Sequence, residues 1–303
     1  MTLSALKKVH KKSYPTISPT RPELQHENRT VLITGGNRGI GLAIARAFVE
    51  ARAERVIIVS RRHDAVMAAI DKIAKEAKDN GSPTIVEGRI CNIADMESTS
   101  SLWLAIKKEG VHVDTLVLNA ASLGVENSLL GAGLDEVWGE YETNLRATID
   151  FTRWFHRQKQ QGAKRRKALI SLSTSVVYER HYVPTRPSYA ITKLAGTDYL
   201  QQVALEVSPQ EMQISIFSPG IIWNDLAAEK GFDESTFPWD DESLPAHFSV
   251  WAASPEAEFI HGRFVWAAWD VEELKALMDD GIKKNPRFLL AGIEGLSAST
   301  GST

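Results

Sequence analysis

The stretch TVLITGGNRGIG, Thr30 to Gly41, decides the fold. Thr30 to Thr34 is a short apolar run that stops at glycines, and Ile40 to Val49 then repeats its apolar residues at helical spacing. A strand that turns on glycine into a helix opens an α/β sheet. The turn also makes a place for an anion. Gly35, Gly39 and Gly41 can take backbone angles closed to other residues, and a helix starting near Gly39 aims free N–H groups at a phosphate. Three glycines in a turn are common, so the pattern gains its weight from standing between a strand and a helix.

Outward from this unit, strands and helices alternate. Val56 to Ser60, Pro83 to Ile90, Thr115 to Asn119, Ala168 to Ser173, Gln213 to Phe217 and Arg263 to Ala267 read as strands. Ala65 to Ala77, Ser98 to Lys108, Leu134 to Gln160 and Ser188 to Val207 read as helices, and Trp269 to Lys284 as an extra one. Strict alternation predicts an α/β fold: a single Rossmann-type, doubly wound parallel sheet of about seven strands with helices on both faces. No linker-like break or internal repeat divides residues 29–303, which read as one dinucleotide-binding catalytic domain. Residues 1–28 differ in character: Lys7, Lys8, Lys11 and Lys12 are followed by Pro15, Pro19 and Pro22. They read as an extended, weakly ordered arm lying along the domain or a partner subunit. No apolar run follows the basic start, so the arm does not read as a secretory signal.

Composition removes several function classes. The 303 residues carry 35 Lys and Arg against 38 Asp and Glu, a net charge of −3 that gives no case for nucleic acid or a membrane surface. No stretch approaches the unbroken apolar length of a membrane span. The single cysteine, Cys91, excludes an internal disulfide and fits a reducing, cytoplasmic compartment. It reads as a small buried residue at a strand end rather than a nucleophile. No His, Cys and acid cluster has metal-ligand spacing, so no metal is expected.

The end of the second strand selects the dinucleotide. An acidic residue there would take the ribose 2′-hydroxyl and repel a 2′-phosphate. This chain has Ser60, Arg61 and Arg62, with Arg38 in the glycine loop beside Asn37 and Ile40. Guanidinium groups pair well with phosphate, so the expected cofactor is NADP(H) rather than NAD(H). Taken singly each arginine is an ordinary solvated charge; its place behind the glycine loop gives it the second meaning. Asn92, followed by Ile93, can reach an adenine after the third strand, and Asn119, Ala120 and Ala121 would pack against the adenosine ribose after the fourth.

The chemistry is expected 155 residues further on. Tyr189 and Lys193 stand four apart in SYAITK and project from one helix face. A phenol is a poor acid–base catalyst at neutral pH, and a neighbouring ammonium lowers its pKa. Alone, the pair is equally a half-buried aromatic and a solvated charge. A hydroxyl to hold the substrate oxygen is offered by Ser173, Thr174 and Ser175. Ser175, 14 residues before Tyr189, is the first choice, Thr174 the second and Ser173 the third.

Taken together, Thr34 to Gly41, Asn119-Ala120, Asn144 in TNL, Ser173 to Ser175, Tyr189 to Lys193 and Pro219-Gly220 resemble the classical short-chain dehydrogenases/reductases from about Thr30 to Ala267. Tyr14 to Leu24 and Trp269 to Leu274 look like fungal members. The resemblance implies a Ser-Tyr-Lys-Asn tetrad in which Asn144 holds a water connecting Lys193 to solvent. It also implies that Ile222 sets its backbone at the nicotinamide carboxamide, with Asn224 where the family commonly has Thr. It further implies a homodimer or homotetramer through the two long helices. Departures include Asn92 for Asp, Ala121 for Gly, a Ser-to-Tyr spacing one residue long, and a missing Asp-Gly-Gly after the last strand.

Residues 224–250 read as a substrate lid. Trp223, Phe232, Phe237, Trp239 and Phe248 mix there with acids, and Pro238 and Pro245 leave little room for regular structure. These aromatics fit either a bulky apolar substrate or simple packing of the loop. Tyr178, His181 and Tyr182 are expected at the pocket wall, His181 as a ligand contact or as an exposed loop residue. The expected activity is hydride transfer between NADPH and a hydrophobic or aromatic carbonyl compound or the matching alcohol, as in fungal secondary metabolism. The alternatives are a redox-neutral enzyme on this scaffold (epimerase, dehydratase or cyclase) and a non-catalytic NADP(H)-binding regulator.

Overall fold

The computed structural model describes residues 6–124, 126–158, 165–179, 185–223, 227–228, 231–233 and 235–293. Its strands are β1 (Thr30–Thr34), β2 (Arg55–Ser60), β3 (Ile85–Ile90), β4 (Thr115–Leu118), β5 (Lys167–Leu172), β6 (Met212–Ser218) and β7 (Phe264–Trp266). They form one seven-stranded sheet in the order β3-β2-β1-β4-β5-β6-β7, with every neighbouring pair parallel. The order reverses between β1 and β4. Chain segments leave that point in opposite directions and open a crevice at the carboxyl ends of the strands.

Alternation along each strand divides the interior into two layers. Val31, Ile33, Val56 and Ile58 join a core on one face, while Leu32, Ile57 and Val59 join the core on the other. The first core is closed by α1 (Gly39–Glu50), α2 (His63–Asp79), α7 (Ser243–Ala252) and α8 (Val271–Lys284), through Phe48, Ile73, Trp251 and Leu274. The second is closed by α3 (Met96–Lys108), α5 (Ala147–Arg157) and α6 (Pro187–Glu206), through Trp103, Phe151 and Leu200. Each fully buried Leu, Ile or Phe contributes about 1.5–3 kcal/mol relative to exposure, so both faces of the sheet are strongly held.

Three differences from the sequence reading have physical causes. The arm is not weakly ordered over its described part. Ile17 and Leu24 are fully buried. The Tyr14 hydroxyl donates to Trp269 O (3.2 Å) and accepts from Val271 N (3.1 Å). Arg21 forks onto Glu256 (2.9 and 2.8 Å). Apolar anchors set between the prolines hold it down. The helix expected over Leu134 to Gln160 is instead α4 (Leu134–Tyr141), a π turn at Glu142–Arg146, and α5. Finally, 224–250 is not one lid. Its last third is α7, where Pro245 stands in the first turn and needs no N–H partner, and Phe248 is fully buried against Phe217 and Trp251. No helix among the described residues is long and apolar enough to cross a membrane.

Candidate active site

The glycine turn fits a phosphate group by its geometry. Gly35 and Gly39 have φ of +67° and +52°, in the region that favours glycine. A Cβ on Gly41 would lie 2.3 Å from the Gly35 carbonyl oxygen and 2.5 Å from Asn119 Nδ2, so only glycine lets the helix start this close. A Cβ on Gly39 would meet nothing within 4 Å, which leaves the outer side of the turn open. Asp95 and Asp270 cap the N-termini of α3 and α8, but Arg38 makes no side-chain cap on α1, whose first N–H groups face that open side. Asn37 and Ile40 are partly exposed on the same turn. These residues fit a dinucleotide pyrophosphate.

The ends of β1 and β4 are braced together behind the turn. Thr34 Oγ1 donates to Val117 O (3.2 Å) and accepts from Asn119 N (3.0 Å) and Ala120 N (3.1 Å). Asn119 Nδ2 donates to Thr34 O (2.9 Å) and Gly35 O (3.2 Å). Asn119 is therefore an internal strut of the turn, while Ala121 is exposed beyond it. Ser60 closes β2, and Arg38, Arg61 and Arg62 are all exposed, without a carboxylate partner among the described residues. After β3, Asn92 is exposed and its Oδ1 accepts from Ala94 N (3.2 Å), whereas Ile93 and Cys91 are buried.

On the other side of the crevice the three candidate hydroxyls are separated. Ser173 Oγ is buried and paired with Thr197 Oγ1 (2.7 Å). Thr174 is extended (φ −163°, ψ 152°); its hydroxyl accepts from Val176 N and lies close enough to the Tyr189 phenol to lower its pKa. Ser175 already belongs to the 3-10 turn Ser175–Val177. The nearest of the three to the phenol by its effect is Thr174; Ser175, the first choice from spacing, begins the turn directly after it.

Tyr189 and Lys193 occupy the first turns of α6, with Pro187 at its start. Burial pushes the phenol up to about 12, against a smaller lowering by Thr174. The ammonium does not pull it down as the sequence reading expected: Lys193 Nζ donates to Leu172 O (2.6 Å), and burial lowers its own pKa to about 8. A phenol shifted in this direction is neutral at physiological pH. Asn144 sits in the π turn, a backbone insertion frequent at functional sites. Its Oδ1 accepts from Ser122 N (2.8 Å), and its Nδ2 donates to Ser122 O (2.8 Å) and Thr192 Oγ1 (3.0 Å). It ties the β4 loop to α6. A cavity of about 10 Å³ is lined by Thr34, Ala120, Asn144, Ser171 and Lys193, among others, so the glycine-turn strand and the lysine meet around one small space. That volume is at the lower limit for a single water.

Two participants carried no signal in the sequence. Glu140, on α4, is buried and accepts from Ser188 Oγ (2.7 Å), one residue before Tyr189, and burial raises its pKa. Gly124 (φ +65°) makes room for it, since a Cβ there would overlap the carboxylate. Asp240 is buried at Gly220 (φ +96°), with Oδ2 accepting from Ile221 N (2.9 Å), and Ile222 pairs with Asp240 as an isolated bridge. Asn224, His181 and Tyr182 lie outside the described residues. Tyr178 accepts from Trp266 Nε1 (2.9 Å). Trp223, Trp239, Phe237 and Phe232 form a chain of edge-to-face contacts with centroids 5.2–5.3 Å apart. Among the described residues no group of three His, Cys, Asp or Glu is placed to hold a metal.

The lysine makes a stability prediction. Its folded pKa of about 8 lies below the ordinary 10.5, so burial disfavours the charged form and subtracts from stability at neutral pH. Between those values the unfolded chain binds more protons than the folded one. Stability contributed at this position therefore rises with pH across the window and levels off above it. Lys193→Met should raise the melting temperature of the cofactor-free protein at neutral pH by about 2 °C, the burden being partly offset by the lost bond to Leu172 O. That gain should fade as the pH approaches 10.5 in differential scanning calorimetry. A variant no more stable than wild type at neutral pH would show that the buried ammonium is not a burden.

A glycine turn after β1 and a tyrosine and a lysine one helical turn apart on α6 are the features of a dinucleotide-binding oxidoreductase. The model of the short chain dehydrogenase family matches residues 29–235. The chain belongs to that family of nicotinamide-dependent oxidoreductases. It is 34% identical over 283 residues to a short chain dehydrogenase/reductase of Claviceps purpurea, covering 93% of this chain and 91% of the relative. It is 32% identical over 289 residues to the short chain dehydrogenase/reductase AacuD of Aspergillus aculeatus, covering 94% of each. Among solved structures, the L-sorbose reductase of Gluconobacter frateurii, complexed with NADPH and L-sorbose, superposes with a TM-score of 0.68. It is 20% identical, covering 80% of this chain and 96% of that one, a likeness of fold.

Proposed function

We propose that this chain is an NADPH-dependent reductase of hydrophobic or aromatic carbonyl compounds in fungal secondary metabolism, and the alcohol dehydrogenase in reverse. The observation that carries the reading is Tyr189 and Lys193 one helical turn apart at the start of α6, with the Thr174 hydroxyl near the phenol and the lysine sharing a small cavity with Thr34 of the glycine-turn strand. When bound, the dinucleotide supplies the hydride. Thr174 donates a hydrogen bond to the substrate oxygen and fixes the carbonyl against the phenol. Tyr189, held neutral by burial, gives its proton to that oxygen as charge develops on it. Lys193 holds the nicotinamide ribose and keeps a positive charge near the phenolate that forms. The small cavity between Lys193 and Asn144 has room for one water, through which the lysine exchanges its proton.

Gly35 to Gly41 hold the pyrophosphate, and Ser60, Arg61, Arg62 and Arg38 hold the 2′-phosphate. Asn92, Ile93, Asn119, Ala120 and Ala121 line the adenosine end. Pro219, Gly220 and Ile222 line the nicotinamide end, with Asn224 beyond them. The substrate class is supported by the aromatic chain of Trp223, Trp239, Phe237 and Phe232, which begins directly after Ile222. We further assign a cytoplasmic homodimer or homotetramer assembled through α4–α5 and α6, where Leu134, Trp138 and Leu205 are 78%, 60% and 79% exposed.

The test is NADPH oxidation by the purified protein against a panel of aromatic and aliphatic ketones. Oxidation with at least one hydrophobic ketone is expected. Tight NADPH binding with no oxidation anywhere in the panel would favour a redox-neutral enzyme or a regulator.

A further inference from the structure

The N-terminal arm passes the loop assigned to the nicotinamide at Lys11. Lys11 Nζ lies 3.0 Å from Asp240 Oδ1 and donates to Pro238 O (2.5 Å), and its backbone carbonyl accepts from Asp241 N (2.7 Å). Asp240 is buried, at 8% exposure, and its other oxygen, Oδ2, accepts the Ile221 N–H at 2.9 Å. Asp240 N donates to Ile221 O (2.8 Å), so side chain and backbone of Asp240 together hold both the N–H and the carbonyl of Ile221. Gly220 has φ +96°, and a Cβ there would sit 2.3 Å from Asp240 Oδ2. One buried carboxylate therefore joins the strained turn at Gly220 to a cation on the arm, and among the described residues Lys11 is the cation paired with it. The arm is anchored on either side of this point. His10 N donates to Ala268 O (2.7 Å), and Ser13 Oγ pairs with His247 Nδ1 (2.6 Å), so Lys11 is delivered to Asp240 rather than left to sample solvent.

We propose that Lys11 is a positioning residue for the reaction. Through Asp240 it holds the Pro219–Ile222 loop in the shape that receives the nicotinamide end of the cofactor. The proposal rests on the dinucleotide reading above and gives the arm a role in that site. A buried carboxylate without its counter-ion is poorly tolerated, so removing the ammonium should loosen its hold on the Ile221 N–H.

The test compares two ligands by fluorescence or calorimetric titration: NADPH, and adenosine 2′,5′-bisphosphate, which lacks the nicotinamide. In Lys11→Met, affinity for NADPH and for NADH should fall by the same factor, roughly five-fold. Affinity for adenosine 2′,5′-bisphosphate should stay at the wild-type value. Lys11→Arg should restore NADPH affinity, and Asp240→Asn should reproduce the selective loss from the other partner. Unchanged NADPH affinity in Lys11→Met overturns the proposal. So does equal weakening of NADPH and the bisphosphate, which would make the arm only a general stabiliser. Failure of the wild-type protein to bind either ligand overturns the dinucleotide reading, and the proposal with it.

Discussion

Replacing Tyr189 with Phe is expected to lower kcat by about a hundred- to ten-thousand-fold while leaving the NADPH dissociation constant within about two-fold of wild type. The variant keeps the ring that fills the start of α6 and removes only the oxygen that meets Thr174. Nothing in the glycine turn depends on that oxygen. Thr34, Asn119 and Gly35 are braced among themselves across β1 and β4. Single-turnover kinetics separate the effects. A drop in the chemical step with unchanged binding assigns Tyr189 as the proton donor. A parallel loss of NADPH affinity would instead make it part of the binding surface. Thr174→Val should move in the same direction by a smaller factor, since it removes a hydrogen bond to the substrate oxygen but not the transferred proton.

Arg61→Ala carries the second large effect. Arg61 follows the end of β2, exposed and without a carboxylate partner among the described residues. A guanidinium on a 2′-phosphate makes charge-assisted, often bidentate hydrogen bonds, and losing them should weaken NADPH binding by about ten- to a hundred-fold. NADH lacks that phosphate, so its affinity should stay within about two-fold of wild type, because only the charge-assisted contacts are lost. The ratio of the two dissociation constants is the quantity to measure. Equal weakening of both would move the 2′-phosphate elsewhere on the surface. The same ratio separates this residue from Lys11, whose loss should weaken both dinucleotides together.

The α/β sheet was legible because its signals are local. TVLITGG shows a strand meeting a glycine turn, and the β-branched run around Val56 to Val59 has no other plausible place than a buried strand. Signals that depend on distant partners were not legible. Ile17 and Leu24 stand between prolines, and only the folded domain supplies the surface that buries them. Phe248 looked like a lid aromatic because Pro245 was read as a breaker, yet a proline in a first helical turn removes no bond the helix needs. In the site, Tyr189 and Lys193 were visible from their i, i+4 spacing. The nearness of Thr174 to the phenol was not, because it depends on where β5 stops and how the following turn is shaped. Asp240 stood only as one acid among several in the expected lid, and Glu140 carried no reading, since nothing in a sequence shows that a glycine elsewhere in the chain has left room for a carboxylate.

The central claim is that hydride passes from the nicotinamide to a carbonyl carbon held between Thr174 and Tyr189. The most direct measurement is the ketone assay run with NADPH deuterated at the transferable C4 position, with the alcohol product examined by mass spectrometry and NMR. One deuterium on the carbinol carbon, on a single face, is the predicted result. Product formed without deuterium, or a change in substrate with no net oxidation of NADPH, would contradict the claim and point to redox-neutral chemistry on this scaffold.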